Sequence, residues 1–499
     1  MIVRRRAARP WPVGIDRLAV GSVAVVAVAQ FAAIGTKSLW ADEAFSWSTS
    51  DRSWSSLLKV SFTRETNGLL YAVLLKVWML GGQSEAWLRS FSAIATIATA
   101  VVVFRLGVVL ANRRCAVAAV LLFGLNGSVI SYGQNVRFYA LVSFVTSLSM
   151  LAFAREVIEP SAKSLRRWVA CCIILPWVHL LAIPIIAAEV ISLGLLAPPA
   201  RQLRRRITAL AFAVPSIAIV ALLVSRHDEG QNLLVFAPGD VLKVISGRAG
   251  VVGYGATALL VAAAIGASID EVGYGPSLRK WSLGLCLCWV WVPIGALFVP
   301  SLVQPVFVGR YLLFVVPGIV LGAAIALEPL VWPSGRHRGE RRRRSSFLLG
   351  FAVAFIVVGT LAGSRYWYRG DAVHDWRAAS TVLLREARPS DGVLFANDSV
   401  RLFHEYYRTR QTRSTEPVPV YPSQPWGRYG TGDQRYLPFT TADLLRARKR
   451  YPRVWLVIET PLLWGANPPV WAAALPRDPG LLARYSANGV EVYLLEGVT

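Results

Sequence analysis

The apolar segments of this chain come in lengths that few folds can accommodate. Stretches of about 20 residues with few charges recur through the first 364 residues, each bounded by short runs of arginine and lysine. Helices of that length and composition are stable across a bilayer because every backbone hydrogen bond is made within the segment. The sequence therefore specifies a polytopic α-helical membrane protein. Composition agrees: of 499 residues, 55% are hydrophobic and only 16% charged, against about 25% charged in a soluble domain.

The basic runs set the orientation. Spans at 16–35, 86–110, 115–131, 138–156, 166–180, 182–198, 207–225, 250–268, 281–300, 311–331 and 346–363 put every basic cluster on one side of the membrane. These clusters are Arg4 to Arg6, Arg113-Arg114, Lys163 to Arg167, Arg201 to Arg206, Arg279-Lys280 and Arg336 to Arg344. The positive-inside rule makes that side cytoplasmic, giving eleven spans with the N-terminus inside. The net charge of +24 is then a matter of topology, and nucleic acid is excluded as a partner. An apolar stretch at 68–80 is shorter than a span and contains Lys76. If it crossed, Arg113-Arg114 would lie outside, so it is read as an interfacial or re-entrant helix. Residues 1–364 thus form a transmembrane domain with a large first outer loop, 36–85, and residues 365–499 an extracytoplasmic domain.

Arg4 to Arg6 and Arg9 precede the first apolar segment as they would in a signal peptide. That segment is long enough to span and has no clear small-residue cleavage site before Trp40, so an uncleaved helix is expected. The arginine-rich, lysine-poor usage points to a bacterial cytoplasmic membrane. Cys115, Cys171, Cys172, Cys286 and Cys288 lie in or beside apolar segments, without zinc-type spacing, and read as small core residues. Beyond residue 365 the pattern alternates. Asp371–Arg388 and Thr441–Arg450 are expected as helices, and Gly392–Ala396, Val454–Ile458 and Val490–Leu495 as buried strands. With 411–440 as a long surface loop, they make a small α/β domain.

Two adjacent acids, Asp42 and Glu43, follow the first span among Trp40, Phe45 and Trp47. They are either a solvated stop or a site for base or metal chemistry, with Mg, Mn or Ca as the divalent candidates. Arg137 and Arg310 each stand at the outer start of a span, where an arginine either snorkels or meets a phosphate or carboxylate. With Lys76 they would suit an anionic ligand. His179, where two short spans meet, is a packing residue, a phosphate contact or a metal ligand. Asp371, His374, Asp375, Trp376 and Arg377 either cover the site or start a helix with Asp371 as its cap.

These pieces, in this order, resemble one family. Asp42-Glu43 after the first span, Arg137-x-Tyr139-x-Leu141 in the second outer loop, Gly309-Arg310-Tyr311 through Pro317, and Asp375 to Ala379 carry the resemblance. They are similar to the GT-C superfamily of membrane glycosyltransferases, in its protein O-mannosyltransferase and aminoarabinose-transferase-like branch. The resemblance implies a GT-C fold and a polyprenyl-phosphate sugar donor of decaprenyl type. It implies transfer of a pentose or hexose, of arabinose or mannose type, to a cell-envelope glycan, lipid or protein on the outer face. It makes Asp42 the catalytic base in an inverting displacement, with Glu43 assisting acceptor or metal binding. Arg137, Arg310 and His179 match positions around the lipid phosphate, with Lys76 a further cation. Trp40, Trp47, Asn135, Tyr139 and Tyr311 are the candidate pocket lining. Two departures bear on metal use and acceptor. Asn135-Val136 stand where members carry a glutamate, and Glu65 to Tyr71 lacks the proline that many members have there. The competing classes are a lipid-linked sugar flippase or transporter, a surface polysaccharide ligase and a membrane scaffold. The absence of an evident internal repeat weighs against inverted-repeat transporters.

Overall fold

The computed structural model describes residues 17–63, 67–196, 198–225, 278–301, 309–331, 367–368, 374–396, 398–410, 416–423, 439–460 and 475–498. The chain forms two compact units. One comprises Met1–Ile34, Ser61–Leu74 and Leu88–Arg369, the other Gly35–Val60, Leu75–Trp87 and Gly370–Thr499.

The helices, in chain order, begin with α1 (Arg17–Phe31), α2 (Ala41–Asp51), α3 (Trp54–Thr63), α4 (Leu69–Trp78), α5 (Glu85–Leu110), α6 (Arg113–Gly124) and α7 (Gly127–Gly133). There follow α8 (Tyr139–Ile158), α9 (Ala162–Val178), α10 (Pro184–Ser192), α11 (Ala200–Leu210), α12 (Val214–Ser225), α13 (Leu278–Ser301) and α14 (Val316–Val331). Among the described residues, five helical stretches are long and apolar enough to cross a membrane, and six if α6 and α7, bent by 63°, count as one. The molecule is a multi-pass membrane protein. Eleven crossings are expected from the sequence, but α1, α9 and α10 are shorter than a full span. The expected spans at 250–268 and 346–363, the basic run 336–344 and Asp371 lie outside the described residues.

Close backbone approach and buried hydrogen bonds hold the helical unit together, since lipid offers no hydrophobic drive between helices. α1 packs on α6 at Gly124, where an added Cβ would lie 2.2 Å from Val26 Cγ2. Glu189 on α10 is fully buried and accepts from Ser149 Oγ on α8 and Trp168 Nε1 on α9, each at 2.7 Å. Trp289 on α13 donates to the Phe314 carbonyl at 2.9 Å.

The second unit is built on a five-stranded sheet of order β2-β1-β3-β5-β4. Its strands are β1 (Gly392–Phe395), β2 (Val418–Tyr421), β3 (Arg453–Glu459), β4 (Leu481–Ala487) and β5 (Val490–Glu496). β1 runs parallel to β2 and β3, while β5 is antiparallel to β3 and β4. Three helices join it: α15 (Trp376–Glu386), α16 (Asp398–Arg408) and α17 (Thr441–Arg450). The expected strands at 392–396, 454–458 and 490–495 and the helix at 441–450 are present to within a residue or two. The helix expected over 371–388 begins at Trp376, because Asp375 caps it by accepting from the Ala378 amide at 3.1 Å. Three elements have no counterpart in the sequence pattern. β4 alternates half-buried and exposed residues at the sheet edge, β2 is four residues long within the loop expected at 411–440, and α16 is a short amphipathic helix. The stacked rings of Trp376 and Phe403, 4.3 Å apart, pack α15 on α16.

Asp391, fully buried, organises one end of this sheet. It accepts from Arg453 Nη2 at 2.6 Å, Trp455 Nε1 at 2.8 Å and the Arg388 amide at 2.9 Å. Burial alone would raise its carboxyl, but these donors and the Arg453 charge hold it below the usual carboxylate value. A depressed acid contributes stability above its unfolded pKa and loses it as pH falls through the folded one. Asp391→Asn should therefore cost the domain roughly 3 kcal/mol at neutral pH, as breaking a buried pair does. The wild-type advantage should vanish only below about pH 4. Thermal melts of the whole protein followed by near-ultraviolet circular dichroism across pH check both outcomes.

Candidate active site

The site in the helical unit is assembled where three helical stretches break. Asn126 ends α6 and starts α7, its Oδ1 accepting from the Ser128 and Val129 amides at 3.0 and 3.3 Å. The 63° bend there replaces the straight span expected at 115–131. α7 runs only to Gly133, and Gln134 then fastens the turn to the end of α1. Its side-chain amide reaches the carbonyls of Ala29, Gln30 and Ala32 at 3.1, 3.0 and 2.9 Å, and its oxygen accepts from Trp367 Nε1 at 2.8 Å. The chain from Asn135 to Arg137 is thereby fixed just ahead of α8.

Arg137 is half-buried. Its guanidinium lies 5.0 Å from the Phe138 ring centroid and 5.9 Å from that of Tyr139. Such stacking is worth about 0.5–2 kcal/mol and holds the fork in one orientation. Phe138 is the hub of an aromatic cluster, with Tyr139 at 4.7 Å, His179 at 4.4 Å and Tyr311 at 6.1 Å between ring centroids. Tyr311 lies 5.3 Å from His179, and the Arg310 guanidinium 5.7 Å from the Tyr311 ring. Arg137, Tyr139, His179 and Tyr311, predicted from three distant stretches, thus meet in one place. Asn135 is buried beside them in sequence, its carbonyl accepting from the Arg137 amide at 2.8 Å.

His179 is the extended residue between α9 and the turn Leu180–Ala182 that leads into α10. Its Nδ1 accepts from the Leu181 amide at 3.1 Å, so the neutral ring carries its proton on Nε2. Asn67 faces that nitrogen. Asn67 Oδ1 accepts from the Leu180 amide at 3.0 Å, which turns its Nδ2 toward His179 Nε2, 3.4 Å away. Two donors side by side suit a shared acceptor such as a phosphate oxygen. Gly68, at φ +98°, makes the turn that holds Asn67, and an added Cβ there would lie 3.5 Å from Phe138. Asn67 was not singled out from the sequence. Its only signal was an Asn-Gly turn just before an apolar helix.

The remaining predicted residues belong to the second unit. Asp42 is half-buried at the second position of α2, where the helix N-terminus favours a carboxylate. Glu43 is buried and turned to its own helix, Oε2 accepting from the Trp40 amide at 3.2 Å. Trp47 donates to Gln83 Oε1 at 3.1 Å and meets Tyr406 edge-on, 5.1 Å between centroids. Lys76 donates to the Ser50 carbonyl at 3.2 Å and to that of Arg52, clamping the end of α2, and lies 5.2 Å from the Trp54 ring. One Glu43 oxygen is committed to the helix start, and among the described residues no three His, Cys, Asp or Glu side chains converge.

No protein-family model matches the sequence, and no curated protein is significantly similar to it. Solved structures are similar in fold. ArnT from Cupriavidus metallidurans in the apo state superposes with a TM-score of 0.60 at 13% identity, over 95% of this chain and 97% of that one. The oligosaccharyltransferase AglB from Archaeoglobus fulgidus, complexed with an inhibitory peptide and a dolichol-phosphate, gives 0.52 at 10% identity over 88% and 69%. The mycobacterial arabinofuranosyltransferase AftD gives 0.50 at 15% over 97% and 40%. These are GT-C glycosyltransferases, and the chain shares their fold.

The His179 geometry makes a direct prediction. His179→Asn keeps an acceptor for the Leu181 amide and should leave thermal unfolding of the detergent-solubilised protein nearly unchanged, whereas His179→Phe should lose about 1 kcal/mol.

Proposed function

We propose that the protein is a glycosyltransferase that moves a pentose or hexose from a polyprenyl-phosphate donor to a cell-envelope glycan, lipid or protein. The observation that carries this reading is the cluster of Arg137, Phe138, Tyr139, His179 and Tyr311, with Asn67 beside it. Guanidinium and neutral donors on an aromatic floor suit a phosphate bonded to an apolar chain. Two solved neighbours support it by what they hold: ArnT, with undecaprenyl phosphate bound, superposes at 0.58, and AglB holds a dolichol-phosphate. An arabinose- or mannose-type sugar on decaprenyl phosphate is the donor this reading favours, with AftD as the arabinosyl precedent. The protein then works in a bacterial cytoplasmic membrane, its C-terminal domain outside.

The chemistry is a single displacement. The acceptor hydroxyl gives its proton to the Asp42 carboxylate as its oxygen bonds to the anomeric carbon. The bond from that carbon to the phosphate oxygen breaks, and the electron pair leaves with the lipid phosphate. Arg137, Arg310 and the donors of His179 and Asn67 stabilise the charge that develops there. The configuration at the anomeric carbon inverts.

Purified protein incubated with radiolabelled polyprenyl-phosphate arabinose or mannose and cell-envelope extract should give labelled product of inverted configuration. Asp42→Asn should lower kcat by about 10²–10⁴-fold, as loss of a positioned base does. Arg137→Gln should cost roughly 10²-fold in kcat/KM, as loss of a charge-stabilising donor does. Equal transfer by Asp42→Asn would remove Asp42 from the role of base. No transfer from any donor, with lipid-linked sugar instead crossing vesicle membranes, would favour a flippase.

A further inference from the structure

The chain between α1 and α2 has no regular structure, yet it carries Asp42 into place. Within the second unit, one side chain gathers it. Arg377, near the start of α15, donates through Nη2 to the carbonyls of Gly35 and Lys37 at 3.0 and 3.2 Å, and through Nη1 to that of Thr36 at 3.4 Å. The Nε–Nη2 edge of the same guanidinium also faces Glu85 Oε1, with Nε at 2.9 Å and Nη2 at 2.8 Å. The same Glu85 oxygen accepts from the Tyr407 hydroxyl at 3.0 Å, and that hydroxyl accepts from the Leu39 amide at 3.0 Å. Burial and the Glu85 charge push the Tyr407 hydroxyl well up, so it remains a donor. Three successive carbonyls and the amide of Leu39 are thus pinned, the last of them three residues before Asp42. α2 itself packs on α16, with Trp47 against Tyr406, so the helix that follows the pinned strap is also seated on this unit.

We propose that Arg377, held by Glu85 and Tyr407, is the positioning residue for Asp42, and that the C-terminal domain contributes to the transfer reaction in this way. The proposal rests on the reading of Asp42 as base. A guanidinium suits this role because its planar fork can serve several carbonyls and a carboxylate at once, which an ammonium point charge cannot. Arg377 is 40% exposed and Glu85 16%. An ion pair so open to water adds little net stability, so its removal should leave a folded protein. What it controls is geometry, and a misplacement of about 1 Å at a reacting group costs on the order of 10²-fold in rate.

The test compares Arg377→Gln, Arg377→Lys, Tyr407→Phe and a control, Arg484→Gln, which removes a surface ion pair of β4 and β5 away from the strap. Hydrogen exchange of the full-length protein should show residues 35–43 exchanging at least about tenfold faster in Arg377→Gln, with β3 unaltered, because the strap amides lose their fixed backbone. In the transfer assay kcat should fall roughly 10–100-fold with KM for the lipid donor within about twofold. Arg377→Lys and Tyr407→Phe should fall between, and Arg484→Gln should match wild type in both readouts. Unchanged exchange over 35–43, or a loss confined to KM, would overturn the proposal. If Asp42→Asn proves fully active, the base assignment fails, and with it the catalytic role of Arg377. The exchange result would still report on the clamp alone.

Discussion

Inside an apolar layer a chain can leave the helix only where other groups take over the freed backbone donors and acceptors. That constraint decides where Arg137, His179 and their aromatic neighbours meet. Three of the breaks in the helical unit are covered by three polar side chains: Asn126 on the amides that start α7, Gln134 on the carbonyls that end α1, and His179 on the amide of Leu181. Each break turns the chain and frees a short non-helical stretch. Arg137 and Phe138 lie on one such stretch and His179 on another, which is why they meet. Replacing the three polar residues by leucine would suit the hydropathy of the chain better and would abolish the turns.

The second unit applies the same economy. An irregular strap cannot be aimed by its own hydrogen bonds, so Arg377 gathers three of its carbonyls against Glu85 while Tyr407 takes one of its amides. Lys76 does the same at the other end of α2. Arginine and lysine in a membrane protein are usually discussed as topological signals or as ligands for anions. Here two of them act on the backbone, one before α2 and one at its end, and Asp42 is half-buried at the N-terminus of that helix.

Part of this was legible in the sequence. Arg137, Arg310 and His179 drew notice because a polar group at the edge of an apolar segment is costly unless it has a partner, and that argument needs no coordinates. The strands at 392–395, 453–459 and 490–496 were legible because buried strands read as continuous apolar runs. Other residues carry the same signal, and their partners are visible only in the structure. Lys76 binds carbonyls at the end of α2, Trp47 packs against Tyr406, and Glu43 caps its own helix. Asn67 gave almost no signal, because a turn asparagine looks the same whether it faces solvent or a buried imidazole. β4 was missed because an edge strand with only half-buried inner positions sets a weak pattern, and α16 because its buried stretch 400–407 includes Arg401, His404 and Glu405, which break the apolar pattern.

By itself the sequence determined that the chain is a multi-pass membrane protein, where three strands of the C-terminal sheet lie, and that an acidic pair and two arginines stand at segment ends. Those properties follow from local composition and period, which act over a few turns of chain. Only the tertiary structure decided which charges lie on aromatic rings and which are spent on backbone. It also decided that residues 35–60 and 75–87 belong to one compact unit with residues 370–499, and that Phe138, rather than any charged residue, is the hub on which Arg137, His179 and Tyr311 meet. The physical reason is that a side chain's role depends on what lies within about 4 Å of it, and here those neighbours come from segments as far apart as residues 67 and 179 or 39 and 407.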